Sequence, residues 1–90
     1  MKTETGLICN LAFVYKGKII DPGRRIRFCR HMREYECKEL AEKVGISPSY
    51  MGMLERNRSK APVRTYERIA RAMNLTLDEM FGLTSINWNK

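Results

Sequence analysis

Residues 37–58 read CKELAEKVGISPSYMGMLERNR, which is the pattern of two short helices joined by a tight turn. The first helix is indicated by Leu40, Ala41 and Val44, because this spacing places all three side chains on one apolar stripe. Gly45 follows directly, and glycine can adopt the positive φ angle with which many helices end. We therefore expect a helix that buries one face and stops at this glycine.

The second helix begins with two start signals. Ser47 offers an N-cap oxygen, and Pro48 suits the first helical position, which needs no backbone N–H. Met51 and Leu54 form its inward stripe, and the outward residues are small, polar or basic: Pro48, Ser49, Gly52, Met53 and Arg56. A short helix of this kind, braced by another helix, is suited to being presented to a partner. We interpret the pair as a helix-turn-helix whose second helix enters the DNA major groove.

The composition is that of one small globular domain. Ninety residues, 43% of them hydrophobic, suffice for a single core. The 17 Lys and Arg residues against 10 Asp and Glu give a net charge of +7, which favours an acidic partner such as nucleic acid. No apolar stretch reaches the roughly 18 residues of a membrane span, so no membrane association is predicted. Three cysteines without a C-x-x-C pair favour a reducing cytoplasm over a disulfide framework.

Residues 1–21 are predicted to form an N-terminal arm. Leu11, Phe13 and Tyr15 alternate with other residues, and residues 16–17 can turn the chain, so a short β-hairpin is plausible. Two-stranded hairpins are marginal in water, and the strands therefore need a surface to pack on. An arm lying over the core and a strand that pairs with a second copy both remain open.

Residues 22–82 are predicted to form the globular domain, followed by a tail over residues 83–90. Helices are expected from Pro22 to about Arg33, from Val63 to Met73, and after the Thr76–Glu79 capping box up to Gly82. The first of these carries five arginines, for which a solvated face is expected rather than a phosphate-binding strip: Arg24, Arg25, Arg27, Arg30 and Arg33.

Residues Gly23 to Gly82 resemble the xenobiotic-response-element (XRE) family, the Cro and lambda-repressor type of helix-turn-helix. The matching residues are Ile26, Arg30, Leu40-Ala41, Gly45-Ile46-Ser47, Leu54-Glu55-Arg56, Pro62, Ile69-Ala70 and Leu77-Asp78-Glu79-Met80-Phe81. The resemblance implies an all-α fold, a compact five-helix lambda-repressor-like DNA-binding domain, here with an N-terminal extended or β-hairpin arm. Members of the family mostly bind operator DNA as dimers and regulate transcription.

The resemblance also implies a DNA-contacting surface with two classes of residue. Nearest the bases would be Ser47, Pro48, Ser49, Gly52 and Met53. Near phosphates would be Cys37, Lys38, Tyr50, Arg56, Arg58 and Lys60. A buried ion pair between Arg30 and Glu55 would hold the second helix, and the residue pattern agrees, because Glu55 follows Leu54 on the inward side.

Three features depart from the family pattern. Cys37, a weak donor, stands where the family usually has a phosphate-binding glutamine, and Lys38 could make that contact as a point charge. Asn57 replaces the usual glycine after the recognition helix and tolerates the left-handed conformation nearly as well. Before Arg56 the outward residues include no Arg, Gln or Asn, so we expect modest direct readout of bases, helped by DNA shape.

The sequence therefore predicts a DNA-binding transcriptional regulator, a repressor acting as a homodimer on double-stranded DNA, without a cofactor. The alternative is a protein-interaction module or an antitoxin that uses the same bundle to bind a protein partner. An enzyme is not expected, because His31 has only Glu34 near it and no nucleophile is indicated.

Cysteine side chains can bind metals or undergo redox chemistry. A metal site is not expected, because Cys29 and His31 diverge on one helix and zinc needs converging ligands. A redox-sensitive Cys37 at a helix N-terminus is a further hypothesis, since that position lowers the pKa of a thiol. A tolerated substitution is the favoured interpretation of that cysteine.

Overall fold

The computed structural model describes residues 13–89, which form two short strands and five helices. In chain order these are β1 (Phe13–Tyr15), β2 (Lys18–Ile20), α1 (Pro22–Met32), α2 (Cys37–Val44), α3 (Pro48–Glu55), α4 (Val63–Ala72) and α5 (Leu77–Phe81). The predicted five-helix all-α domain with a β-hairpin arm is confirmed. Leu11 and the rest of the arm before Phe13 lie outside the described residues.

One apolar core lies between the five helices. Side chains with no exposed surface come from every helix: Ile26, Cys29, Leu40, Ala41, Met51, Leu54, Ile69, Ala70 and Met80. These are the residues that the sequence spacing placed on inward stripes. Because each helix buries the stripe expected from its periodicity, the rotation of each helix about its own axis follows from the sequence.

The helix boundaries follow the predicted start and stop signals. The Ser47 hydroxyl accepts the backbone N–H of Tyr50 over 3.1 Å, as expected of an N-cap. Thr76 and Glu79 form the expected capping box, in which each side chain accepts the backbone N–H of the other, at 3.0 and 2.8 Å. Gly45 ends α2 with a φ of 90°.

The hairpin packs on α4 and α5 through aromatic rings. The ring of Phe13 lies 5.2 Å from that of Tyr66 and 5.6 Å from that of Phe81, and Tyr15 lies 5.4 Å from Phe81, measured between centroids. Such edge-to-face pairs add to the stability given by burial alone. The described part of the arm, residues 13–20, therefore packs on the core, as in the first of the two possibilities.

The hairpin has a tight turn and an exposed outer face. Residues 16 and 17 have φ angles of 52° and 76°, the pattern of the type I′ turn that tight hairpins favour. The Lys16 ammonium donates to the Asp78 carboxylate over 2.9 Å. Val14 and Ile19 pair across the strands on the opposite face, where they are 67% and 79% exposed.

The five arginines along α1 are only partly exposed to solvent. Arginine side chains donate to backbone carbonyls near helix ends: Arg25 to Met80 of α5, Arg27 to Glu55 of α3, Arg33 to Met73 after α4 and, from α4, Arg68 to Val44 of α2. The last carbonyls of a helix lack intrahelical donors and carry partial negative charge. The prediction of a solvated face is therefore wrong for Arg25, Arg30 and Arg33, which are half-buried and bonded within the fold, whereas Arg24 and Arg27 are exposed.

Gly23 packs against the C-terminal end of α3. A Cβ atom at this position would lie 2.5 Å from the carbonyl oxygen of Glu55 and 2.6 Å from that of Leu54. Both of these atoms belong to the backbone and cannot rotate aside. The close approach of α1 to α3 therefore requires glycine here.

We expect Gly23→Ala to lower the free energy of unfolding by about 1–3 kcal/mol, the usual range for overpacking. The matched control is Gly52→Ala, another helical glycine, where the added Cβ would meet only the flexible end of Arg56, at 3.2 Å. That control should be no less stable than the parent chain, because alanine is favoured over glycine in a helix. Urea unfolding followed by circular dichroism measures both variants. Equal stability of the two would contradict the close packing of α1 on α3.

Candidate nucleic-acid interface

A buried ion pair holds α3 from behind. The Arg30 Nε donates to Glu55 Oε2 over 2.7 Å, and Nη2 donates to Oε1 over 3.0 Å. The two side chains are only 12% and 6% exposed. A third donor, Nη1, binds the carbonyl of Tyr35 over 2.9 Å. Hydrogen bonding to Glu55 raises the pKa of Arg30 above its ordinary value, and the two parallel bonds fix the orientation of α3 against α1.

Asn57 ties the C-terminal end of α3 to the start of α1. Its backbone takes the left-handed conformation, with a φ of 57°. Its side-chain oxygen accepts the N–H of Gly23 over 3.0 Å, and its amide nitrogen donates to the carboxylate of Asp21. Sequence reasoning found only the backbone role of this residue. The side-chain bridge was not detectable, because its partners lie 34 and 36 residues away.

The outer face of α3 consists of the five residues predicted to lie nearest the bases. Four of them are exposed to solvent: Ser47, Pro48, Ser49 and Met53. Gly52, the fifth, is half-buried, because the guanidinium group of Arg56 lies against it. The face is therefore largely open to solvent.

The residues predicted to lie near phosphates bracket this face along the chain. Exposed cations occur at the start of α2, at the end of α3 and in the loop that follows: Lys38, Arg56, Arg58 and Lys60. Tyr50 and Cys37 are half-buried and pack against the core. Along the chain the four exposed cations flank the uncharged residues 47–53, an order suited to a duplex with its charge on the backbone and its base edges in the groove.

The pKa of the Cys37 thiol is raised above its ordinary value. Burial is the main cause that raises its pKa, and the Glu55 carboxylate adds to the effect, whereas Arg30 and Arg56 oppose it. The hypothesis that its position at a helix N-terminus lowers the pKa is therefore wrong. The Glu55 carboxylate, which the fold brings close, and the partial burial of the thiol outweigh the helix end.

The rest of the described chain adds no other chemical site. Cys29 has no exposed surface and His31 is exposed, so the two side chains diverge as expected. Within residues 13–89 no group of three or more His, Cys, Asp or Glu side chains is placed to hold a metal ion. None of the helices over the same residues is long and apolar enough to cross a membrane.

Comparison with known proteins assigns this arrangement to a family. Residues 33–80, more than half of the chain, match the family model described as helix-turn-helix. The chain belongs to the helix-turn-helix family. The match is of the XRE type, whose members are DNA-binding transcriptional regulators and not enzymes. The XRE resemblance inferred from the sequence is thereby confirmed.

Relatives of this helix-turn-helix protein include known regulators. The HTH-type transcriptional regulator SinR of Bacillus licheniformis is 32% identical over 61 residues, which are 67% of this chain and 55% of the relative. The chain thus spans about half the length of that curated relative.

Solved structures show the same helix-turn-helix fold. The biofilm master regulator SinR in complex with DNA is 30% identical, with 66% of this chain and 95% of that chain covered and a TM-score of 0.60. The restriction-modification controller protein C.AhdI from Aeromonas hydrophila is 26% identical, with 69% of this chain and 94% of that chain covered and a TM-score of 0.65.

Proposed function

We propose that this helix-turn-helix protein is a repressor that binds operator DNA as a homodimer, with α3 in the major groove. The observation that carries the proposal is the open outer face of α3, bracketed by exposed cations and held from behind by the Arg30–Glu55 pair. A helix of this length fits the major groove, where the base edges differ. The SinR structure with bound DNA is a precedent for a relative of the same fold.

The dimer follows from the weak base-reading capacity of one subunit. Ser49 can hydrogen-bond a base edge and Met53 can touch a thymine methyl, but neither makes a bidentate pair. Specific complexes exceed non-specific ones by about 4–10 kcal/mol, and a good bidentate contact supplies only about 1–3 kcal/mol of it. Two subunits on two half-sites double the contribution of each weak contact.

Repression is the simpler mode of regulation for so small a chain. A protein bound across a promoter excludes other proteins from the same DNA, and this requires only affinity. Activation would need a second surface that contacts the transcription machinery. The outer face of α3 and its flanking cations would provide the DNA affinity that repression needs.

Selection of bound duplexes from a random pool tests the proposal. We expect enrichment of an inverted repeat whose half-sites are about 34 Å apart, one turn of the duplex. Enrichment of a single half-site would contradict the dimer. A pool that shows no enrichment at low ionic strength would contradict the DNA-binding function itself.

Alanine substitutions should separate the two classes of contact. Arg58→Ala should weaken binding to all duplexes alike and reduce the salt slope by about one per subunit, because it removes a phosphate contact. Ser49→Ala and Met53→Ala should relax preference at particular base pairs and leave that slope unchanged. Fluorescence anisotropy on the selected operator and on single-base variants measures both effects. A uniform loss from all three substitutions would contradict this division of roles.

One observation favours a second function, binding to a protein partner. Val14 and Ile19 form an exposed apolar pair on the outer face of the hairpin, away from α4 and α5. An interaction module or antitoxin would use this pair, and Val14→Thr with Ile19→Thr would then abolish partner binding. Under the DNA-binding function the same double variant should keep its affinity for the operator.

A further inference from the structure

Gly52 has no backbone reason to be glycine. The described glycines with positive φ are Gly17, Gly45 and Gly82, so Gly52 has helical geometry that other residues also adopt. Inside a helix, glycine is less favourable than alanine. What glycine provides at this position is therefore the space above its Cα atom.

The guanidinium group of Arg56 fills that space. A Cβ atom on Gly52 would lie 3.2 Å from Nη1, 3.6 Å from Nη2 and 3.8 Å from Cζ of Arg56. Residues four apart are neighbours on a helix surface, and side chains run toward the helix N-terminus, so Arg56 reaches back over Gly52. Both Nη atoms are nearer to that point than Cζ is, so the guanidinium turns its Nη1–Nη2 edge toward the open position on α3.

The same guanidinium lies near the start of α2. Its positive charge acts to lower the pKa of the Cys37 thiol, although burial of that thiol has the larger and opposite effect. Because α2 and α3 pack on each other, the charge of Arg56 acts at the first turn of α2. Cys37, a weak donor, offers little to an anion at this place.

We propose that Gly52 is a positioning residue for Arg56: the missing side chain lets the guanidinium lie on α3, where it binds one DNA phosphate beside the start of α2. This inference rests on the DNA-binding function proposed above. It revises the role of Gly52, which acts through Arg56 and does not contact a base. A side chain held in place before binding loses less rotamer freedom when the complex forms.

A double-mutant cycle tests the coupling of the two residues. Operator affinity is measured for the parent chain, Gly52→Ala, Arg56→Ala and the double variant. We expect Gly52→Ala to weaken binding by about 3- to 10-fold, the effect of freeing one long side chain. In the Arg56→Ala background the same substitution should change affinity less than about twofold.

Arg58 provides the matched background. It is a second exposed arginine after α3, and the atoms nearest to the Gly52 Cβ position belong to Arg56. Gly52→Ala should therefore keep its full effect in Arg58→Ala. Thermal unfolding distinguishes positioning from folding, because Gly52→Ala should melt no lower than the parent chain while binding more weakly.

Two outcomes would overturn this inference alone. Equal losses from Gly52→Ala with and without Arg56 would mean that the added methyl group meets the duplex directly. An unchanged affinity of Gly52→Ala would mean that Arg56 binds its phosphate without the open position at Gly52. Failure of the parent chain to bind any selected duplex would overturn the proposed function as well, and that result is visible before any variant is compared.

Discussion

Replacing Glu55 with alanine is expected to lower the free energy of unfolding by about 3–5 kcal/mol. The substitution leaves the Arg30 guanidinium, which is only 12% exposed, without its two charge-assisted bonds. An unpaired charge in that environment is strongly destabilising, whereas a paired one is tolerated. Since small domains have a free energy of unfolding of only about 5–15 kcal/mol, this loss would remove a large part of it. Urea unfolding at neutral pH measures the loss.

The chain contains its own control for this prediction. Lys16 and Asp78 form an exposed ion pair, with side chains 59% and 29% accessible. Lys16→Ala should cost less than about 1 kcal/mol, as exposed pairs usually do. Replacing Arg30 and Glu55 together with Met and Leu should recover much of the loss, because no charge is then left unpaired. Similar losses from Glu55→Ala and Lys16→Ala would contradict the structural role of the buried pair.

Operator affinity is expected to fall by about four orders of magnitude between about 50 and 200 mM salt. The reason is counterion release at the phosphates met by four cations in each subunit: Lys38, Arg56, Arg58 and Lys60. Eight contacts in a dimer give a slope of log affinity against log salt of about −7. Titrations by fluorescence anisotropy at several salt concentrations measure that slope. A flat response would favour the protein-partner function.

Charge-matched variants locate the source of this salt dependence. Neutralising Lys38 and Arg58 together should reduce the magnitude of the slope by about 3.6, since a dimer then loses four contacts. Arg24 and Arg64 are equally exposed cations on α1 and α4 that belong to neither contact class. Their double alanine variant should keep the full slope. Equal reductions in both variants would mean that overall charge, and not a defined surface, drives association.

Features set by neighbouring residues were predictable from the sequence. Ser47, Gly45 and the Thr76–Glu79 box act on backbone groups within a few residues, so their effects are visible in a short window. Inward stripes were equally predictable, because periodicity alone decides which face of a helix is apolar. These two kinds of signal were enough to find the helices, their inner faces and the outer face of α3.

Features that join distant parts of the chain were not predictable. Arg25 meets a carbonyl 55 residues away, and nothing in the local sequence distinguishes it from exposed Arg24. The hypothesis of a lowered pKa for the Cys37 thiol was wrong for the same reason. A helix N-terminus favours the thiolate, but the fold brings the Glu55 carboxylate close and partly buries the sulfur. Gly52 could not be interpreted until the position of the Arg56 side chain was known.

The guanidinium groups that cap the helix ends restrict how the chain can be re-engineered. Four arginine side chains donate hydrogen bonds to backbone carbonyls at the ends of α2, α3, α4 and α5. Removing arginines to weaken binding to polyanions would therefore break hydrogen bonds between helices and destabilise the fold. Exposed lysines such as Lys18 and Lys43 can be substituted with less effect on the fold. Half of the ten arginines thus bond one helix to another, so positive charge is better removed at lysines such as these.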